Sequence, residues 1–250
     1  MTTTPSPAAA PHPAQHRNHP PSGQGRRVTD APTRLFHWLF AFCFVGAYLT
    51  ADTEHLRALH VTLGYTLAGL LVFRLLYGVL GPRQVRLSVL QHKASTGLLW
   101  LRQWPAQLAQ GRFNWQPGQN LVLALSIAAM LLLPVPLTLS GWATFNDVGG
   151  EWLEEIHEWA GDAMLLVVLL HLGALLLFSL LRRKNLALPM WRGRTPGQGP
   201  DVVRHNRLWL ALLIAACALL YWGWEWQQAP NGLISGPALS QAWSGDGDDD

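Results

Sequence analysis

Five stretches of this chain are apolar over about the 20 residues that a helix needs to cross a hydrocarbon layer: 33–52, 60–81, 120–142, 153–181 and 208–226. In lipid every main-chain N–H and C=O must find an internal partner, so each stretch is expected to be a helix. The expected fold class is therefore all-α: a transmembrane helical bundle of four helices plus a C-terminal fifth. Charged residues make up only 13% of the 250, about half the level of an ordinary soluble domain. Many of the 13 Trp fall where the apolar runs begin or end, as in an interfacial aromatic belt. Pro32 marks the start of the first helix, and Pro134 and Pro136 should kink the third.

The rest of the chain divides around these runs. Residues 1–27, rich in Pro, Ala, Thr and His, read as a disordered cytoplasmic tail without the apolar run of a signal peptide. His12, His16 and His19 belong to that solvated tail. Residues 28–194 form the main transmembrane domain, 195–227 a linker and the fifth helix, and 228–250 an acidic periplasmic tail. Residues 88–104 interleave Leu, Val and Trp with Gln91, His92, Lys93 and Arg102. They fit either an amphipathic helix on the cytoplasmic membrane face or an irregular loop.

Basic residues set the orientation. The N-terminal segment, 82–119 and 182–207 carry 4, 5 and 7 of the 18 Lys and Arg. Only Arg57 and Arg74 lie elsewhere. The positive-inside rule then puts the N-terminus in the cytoplasm and the C-terminus in the periplasm of a bacterial inner membrane, with five spans. The outer side collects Asp52, Glu54, Asp147, Glu151, Glu154, Glu155, Glu158, Glu225 and the Asp246–Asp250 tail. Such a surface suits a basic periplasmic partner, or is simply solvated.

His157 and His171 are 14 residues apart in the fourth run, about 3.9 turns and roughly 21 Å of rise. They project from nearly one face, one toward each side of the membrane. With alternating helix directions, His37 falls at the level of His171 and His60 at the level of His157. Ionisable residues at such depths are functional candidates by default. A lone membrane histidine is often a helix–helix hydrogen-bonder, but two depth-matched pairs fit something more specific. Two imidazoles saturate a haem iron and favour electron transfer over oxygen activation. The expected ligand pairs are His37 with His171, for a cytoplasmic-side iron, and His60 with His157, for a periplasmic-side iron. The cofactors would be two non-covalent haems b, since no C-x-x-C-H motif for covalent attachment occurs. His55, His92 and His205 lie in loop or interfacial segments and are weaker candidates.

Arg74 follows His60 by 14 residues, which puts it at the cytoplasmic level. It suits a haem propionate, which guanidinium binds bidentately, or it snorkels to lipid headgroups. Asp162 points away from the haem face and reads as a hydrogen bond to a neighbouring helix, with a proton relay as the second reading. Gly64 and Gly161, each one turn from a ligand, suit either a flat macrocycle or close helix packing. Cys43 and Cys217 are expected to be free, buried thiols.

These residues resemble the bacterial cytochrome b561 and nickel-hydrogenase b-type cytochrome family. The likeness runs from about Arg27 to Arg194, through VTDAPTRLFHW, LHVTLGYTLAGLLVFRLLYGVLGP, SGW at 140–142, and EEIHEWAGDAMLLVVLLHLGALLLFSLLRRKNLALPMWRG. It implies a helical bundle with two haems b on His37, His60, His157 and His171. It also implies electron transfer between the quinone pool and a partner such as a hydrogenase, a periplasmic oxidoreductase or a c-type cytochrome. Tyr77 stands where relatives commonly carry Trp. QPGQN precedes the third helix where many relatives have Gly-His-Asn-Pro.

Three functional classes compete at this point. The first is a respiratory electron conduit, more an electron-transfer subunit than a stand-alone enzyme. The second is a self-sufficient quinone oxidoreductase, for example superoxide:quinone, an activity the family includes. The third is a non-redox transporter using histidine for metal or protons.

Overall fold

The computed structural model describes residues 25–229 except 110, 112, 113 and 198. The expectations for the N-terminal tail with its three histidines, and for the acidic C-terminal tail, lie outside the described residues. Eight helices are described: α1 (Ala31–Leu49), α2 (Arg57–Leu80), α3 (Leu87–Ala109), α4 (Gln116–Leu132), α5 (Pro134–Phe145), α6 (Glu151–Arg182), α7 (Leu188–Arg192) and α8 (Leu208–Gln228). They are joined by one short antiparallel pair, β1 (Arg26–Arg27) with β2 (Arg194–Thr195).

Local chemistry sets the helix ends. The Asp30 side chain caps α1 by accepting from the Thr33 N–H at 3.2 Å, and Pro32 occupies the first turn. Gly149 and Gly150, both at positive φ, turn the chain into α6. There Glu151 and Glu154 in the first turn and Arg182 in the last complement the helix dipole. The third apolar run breaks at Leu133, between α4 and α5, because Pro134 has no N–H to continue the ladder.

Four segments are long and apolar enough to cross a membrane: 54–80, 116–145, 151–182 and 208–228. The expected first span, α1, has 19 residues, about 28 Å of rise. Arg34 and His37 in its first half dilute its apolar character, and it is not among the four. At the level of architecture the expectation of an all-α bundle holds.

α1 and α2 pack on each other, α6 packs on α4 and α5, and the two halves meet through α2 and α5. The buried core draws Phe36, Phe40, Cys43 and Phe44 from α1, Leu63, Leu67, Leu70 and Leu71 from α2, Leu131 from α4 and Met164 from α6. α8 docks on α1 and α2. Its Trp222 donates to Thr66 Oγ1 at 2.8 Å and lies against Phe42 with ring centres 6.0 Å apart. Because only one face of α8 is engaged, Cys217 is exposed, contrary to the expectation of burial, while Cys43 is fully buried and both are free. Residues 88–104 are helical within α3. This helix packs on α4, where a Cβ at Gly97 would meet Leu121 and a Cβ at Gly118 would meet Trp100.

Arg26 and Arg27, expected in the tail, instead belong to a cap that closes one end of the bundle. The Arg27 N–H donates to Asp201 at 2.7 Å, and its carbonyl accepts from Val202 and Val203. The Gly193 carbonyl accepts from the Val28 and Thr29 N–H groups. Gly193 itself sits at φ +72, where a Cβ would press on Arg34 and on the Thr29 carbonyl. Trp38 donates from its indole to the Met190 carbonyl and meets Trp191 edge to face. The N-L-x-x-P-M segment is thus the clasp on the start of α1.

Asp30, fully buried, also accepts from the Tyr77 hydroxyl at 2.5 Å. This bond ties the start of α1 to the end of α2, and Arg207 at the start of α8 is an electrostatic neighbour of Tyr77. Asp30→Ala removes the helix cap and leaves the Tyr77 hydroxyl without its acceptor, a loss of about 2–4 kcal/mol. The apparent thermal midpoint of purified Asp30→Ala is expected well below wild type, with Tyr77→Phe falling less. Equal midpoints for Asp30→Ala and wild type would contradict this role.

Candidate functional site

The four candidate histidines come from three helices: His37 from α1, His60 from the first turn of α2, and His157 and His171 from α6. All four are half-buried. His60 and His157 face each other, ring centres 6.0 Å apart and planes inclined by 75°. His171 lies within electrostatic range of His37. The structure therefore brings together the residues that depth-matching paired.

The second nitrogen of each ring shows how the rings are held. His60 Nδ1 is 2.8 Å from the Ala47 carbonyl, and His157 Nδ1 is 2.9 Å from the Leu137 carbonyl. A carbonyl only accepts, so each Nδ1 carries the proton and each Nε2 presents its lone pair. His171 Nδ1 is 3.0 Å from Ser126 Oγ. The Ser126 hydroxyl donates to the Leu123 carbonyl at 2.9 Å, which leaves its oxygen to accept from His171. His37 Nδ1 is buried with no hydrogen-bond partner among the described residues.

Both carbonyls are accessible for identifiable reasons. Ala47 lies in the last turn of α1, where its carbonyl accepts from the Thr50 N–H at 3.2 Å and the Thr50 hydroxyl at 3.1 Å and is still open to the His60 ring. Leu137 sits one turn before Gly141, and a Cβ at Gly141 would lie 2.6 Å from His157 Cε1 and 2.8 Å from its Nδ1. Only glycine lets the imidazole rest on α5 and reach that carbonyl. Sequence alone assigns no role to Gly141, within SGW, or to Ser126, Ala47 and Leu137. The usable signal was the glycine four residues after a helical carbonyl; the partners themselves depend on tertiary packing.

This donor set fits a bis-imidazole haem. Two metal–nitrogen bonds of about 2 Å in line put the nitrogens about 4 Å apart and the ring centres roughly 6 Å apart, the separation of His60 and His157. Close helix packing does not account for the neighbouring glycines. A Cβ at Gly64 would meet nothing within 4 Å, and one at Gly161 only Leu137 Cδ1 at 3.9 Å.

Arg74 is half-buried, donates to the Val85 carbonyl at 3.2 Å, and has Asp30 as an electrostatic neighbour. Asp162 accepts from Tyr48 of α1 at 3.2 Å, the inter-helix hydrogen bond expected of it. His55, His92 and His205 are exposed. No group of three or more His, Cys, Asp or Glu positioned to hold a metal ion occurs among the described residues.

Paired imidazoles between helices, in a bundle with four segments long and apolar enough to cross a membrane, mark an integral membrane protein with a candidate cofactor site in its interior. A model of the prokaryotic cytochrome b561 family matches residues 28–193, and the chain belongs to that family. It is accordingly a haem-binding b-type cytochrome of membrane electron transfer, of a kind that interacts with quinone or other redox partners. Neither the curated proteins nor the solved structures compared with the chain gave a match.

The contact at Gly141 yields a direct test. Gly141→Ala drives a methyl group into the His157 ring. The haem-to-protein ratio is expected to fall toward half that of wild type, while Gly173→Ala, where a Cβ would meet nothing within 4 Å, leaves it unchanged. Full haem content in Gly141→Ala would contradict the packing argument.

Proposed function

We propose that the chain is a dihaem conduit that carries electrons between quinone in the bilayer and a redox partner, as part of respiratory electron transport. His37 and His171 hold one iron and His60 and His157 the other. The observation that carries this reading is the facing of His60 and His157, with each Nδ1 fixed on a main-chain carbonyl. Iron supplies one-electron redox chemistry, and two imidazoles leave it no open position for substrate. The chain's own part is to fix each ring's tautomer, raise its basicity through the Nδ1 bond and exclude water. Arg74 uses one of its five N–H donors on Val85 and offers the rest to a propionate.

The histidines occur in twos, whereas a bare metal ion takes three or four protein ligands; this favours haem over a transported metal. The cationic ends at 182–207 and 82–119 support a cytoplasmic N-terminus, a periplasmic C-terminus and an inner-membrane location, with α1 as a fifth span. Exposed Asp147, Glu151, Glu154, Glu155 and Glu158 at the His60–His157 end suit a basic periplasmic c-type cytochrome or oxidoreductase subunit.

Variants of the helix that serves both levels test the assignment. His157→Ala and His171→Ala are each expected to lose one haem and retain the other at least partly. Reduced-minus-oxidised spectra and haem-to-protein ratios read the outcome. Unchanged haem content in both variants would reject the ligand set.

A further inference from the structure

One ionisable pair on the lipid-facing surface has no part in holding haem. Tyr48 near the end of α1 donates to Asp162 of α6 at 3.2 Å. Asp162 is exposed and Tyr48 is 38% exposed. Their exposed neighbours along the same helices are Val45 and Leu49 on α1 and Leu166 and Leu169 on α6, so the pair looks out on acyl chains. A carboxylate facing hydrocarbon is costly and marks function by default. A bond that merely tied two helices together would be stabilised by burial, and a neutral partner would serve it as well.

Position sharpens the inference. Tyr48 directly follows Ala47, whose carbonyl holds His60. Asp162 lies five residues past His157, about 7.5 Å along the helix. The pair therefore flanks the His60–His157 level. Toward the aqueous side, Asp52 is an electrostatic neighbour of Tyr48, and α6 continues through exposed Glu158, Glu155, Glu154 and Glu151. A carboxylate thus meets hydrocarbon on one side and a line of carboxylates leading to water on the other.

We propose that Tyr48 and Asp162 form a lipid-facing site for a hydroquinone, with Asp162 as the catalytic proton acceptor and Tyr48 as the residue that positions its carboxylate. The ligand class follows from the chemistry: a hydrocarbon-soluble molecule that gives up a proton and an electron together. In each round one quinol O–H bond breaks, its proton passes to the Asp162 carboxylate and its electron to ferric haem iron at the adjacent level. Asp162 releases the proton toward water past Asp52. Two rounds release two protons, reduce two ferric irons and leave the quinone. This step rests on the conduit reading.

The test uses the full-length purified chain, as wild type, Asp162→Asn, Tyr48→Phe and the exposed control Lys93→Gln. Haem reduction is followed with a short-chain benzoquinol and, separately, with dithionite. Binding of an alkyl resorcinol, which offers phenolic hydroxyls but forms no quinone, is measured by tryptophan quenching. Asp162→Asn should keep its haem and its dithionite reduction but reduce about a hundredfold more slowly with quinol. Its resorcinol affinity should fall about tenfold. Tyr48→Phe should show smaller losses of both, and Lys93→Gln none. Quinol reduction of Asp162→Asn at the wild-type rate would overturn the proposal. Were wild type to carry no haem, the conduit reading would fall, and unchanged resorcinol affinity in Asp162→Asn would still overturn the site.

Discussion

An imidazole inside a membrane costs least when both of its nitrogens have partners. That preference organises the His60–His157 end of this bundle. One nitrogen of His60 and one of His157 are spent on main-chain carbonyls, which leaves the other nitrogen of each without a partner among the described residues while the two rings stand 6.0 Å apart. Each carbonyl already accepts from its own helix, Ala47 from Thr50 and Leu137 from Ser140, and must still be within reach of a ring: Ala47 lies at the end of a helix and Leu137 at a point uncovered by glycine. The length of α1, the break into α5 and the glycine of SGW are all conditions for two rings to meet at 6.0 Å.

The remaining architecture holds the ligand-bearing helices at the right distance. α1 and α2 form one half, and α6 with α4 and α5 forms the other. At one end the cap built from Gly193, Val203 and the Asp30–Tyr77 bond locks α1 against the segment that follows α6. Tyr77 supplies the hydroxyl that donates to Asp30. α8 braces the α1–α2 half from outside through Trp222, which gives the C-terminal helix a packing role without a ligand.

Much of this was legible in the sequence because its physics is one-dimensional. Apolar run length fixes four of the five expected spans, and a 14-residue spacing fixes a shared helix face. Alternating helix direction fixes which histidines share a level, and that singles out His37, His60, His157 and His171. What was not legible depends on contacts between distant segments. Nothing local shows that Arg27 bonds Asp201, that Ser126 meets His171, or that Gly141 lies under His157. The exposure of Cys217 was missed for the same reason: an apolar run does not say which of its faces a neighbour covers. Asp162 shows the boundary well. Its spacing from His157 placed it off the ligand face, but only the fold supplied Tyr48 as its partner.

The central claim, two irons each held by two imidazoles, has a spectroscopic signature independent of any variant. Low-temperature electron paramagnetic resonance on the purified, air-oxidised protein reads the ferric ligand field directly. Two low-spin bis-imidazole signals of equal weight are expected. A high-spin signal from five-coordinate iron, or a single low-spin species accounting for all the haem at one per chain, would contradict the account.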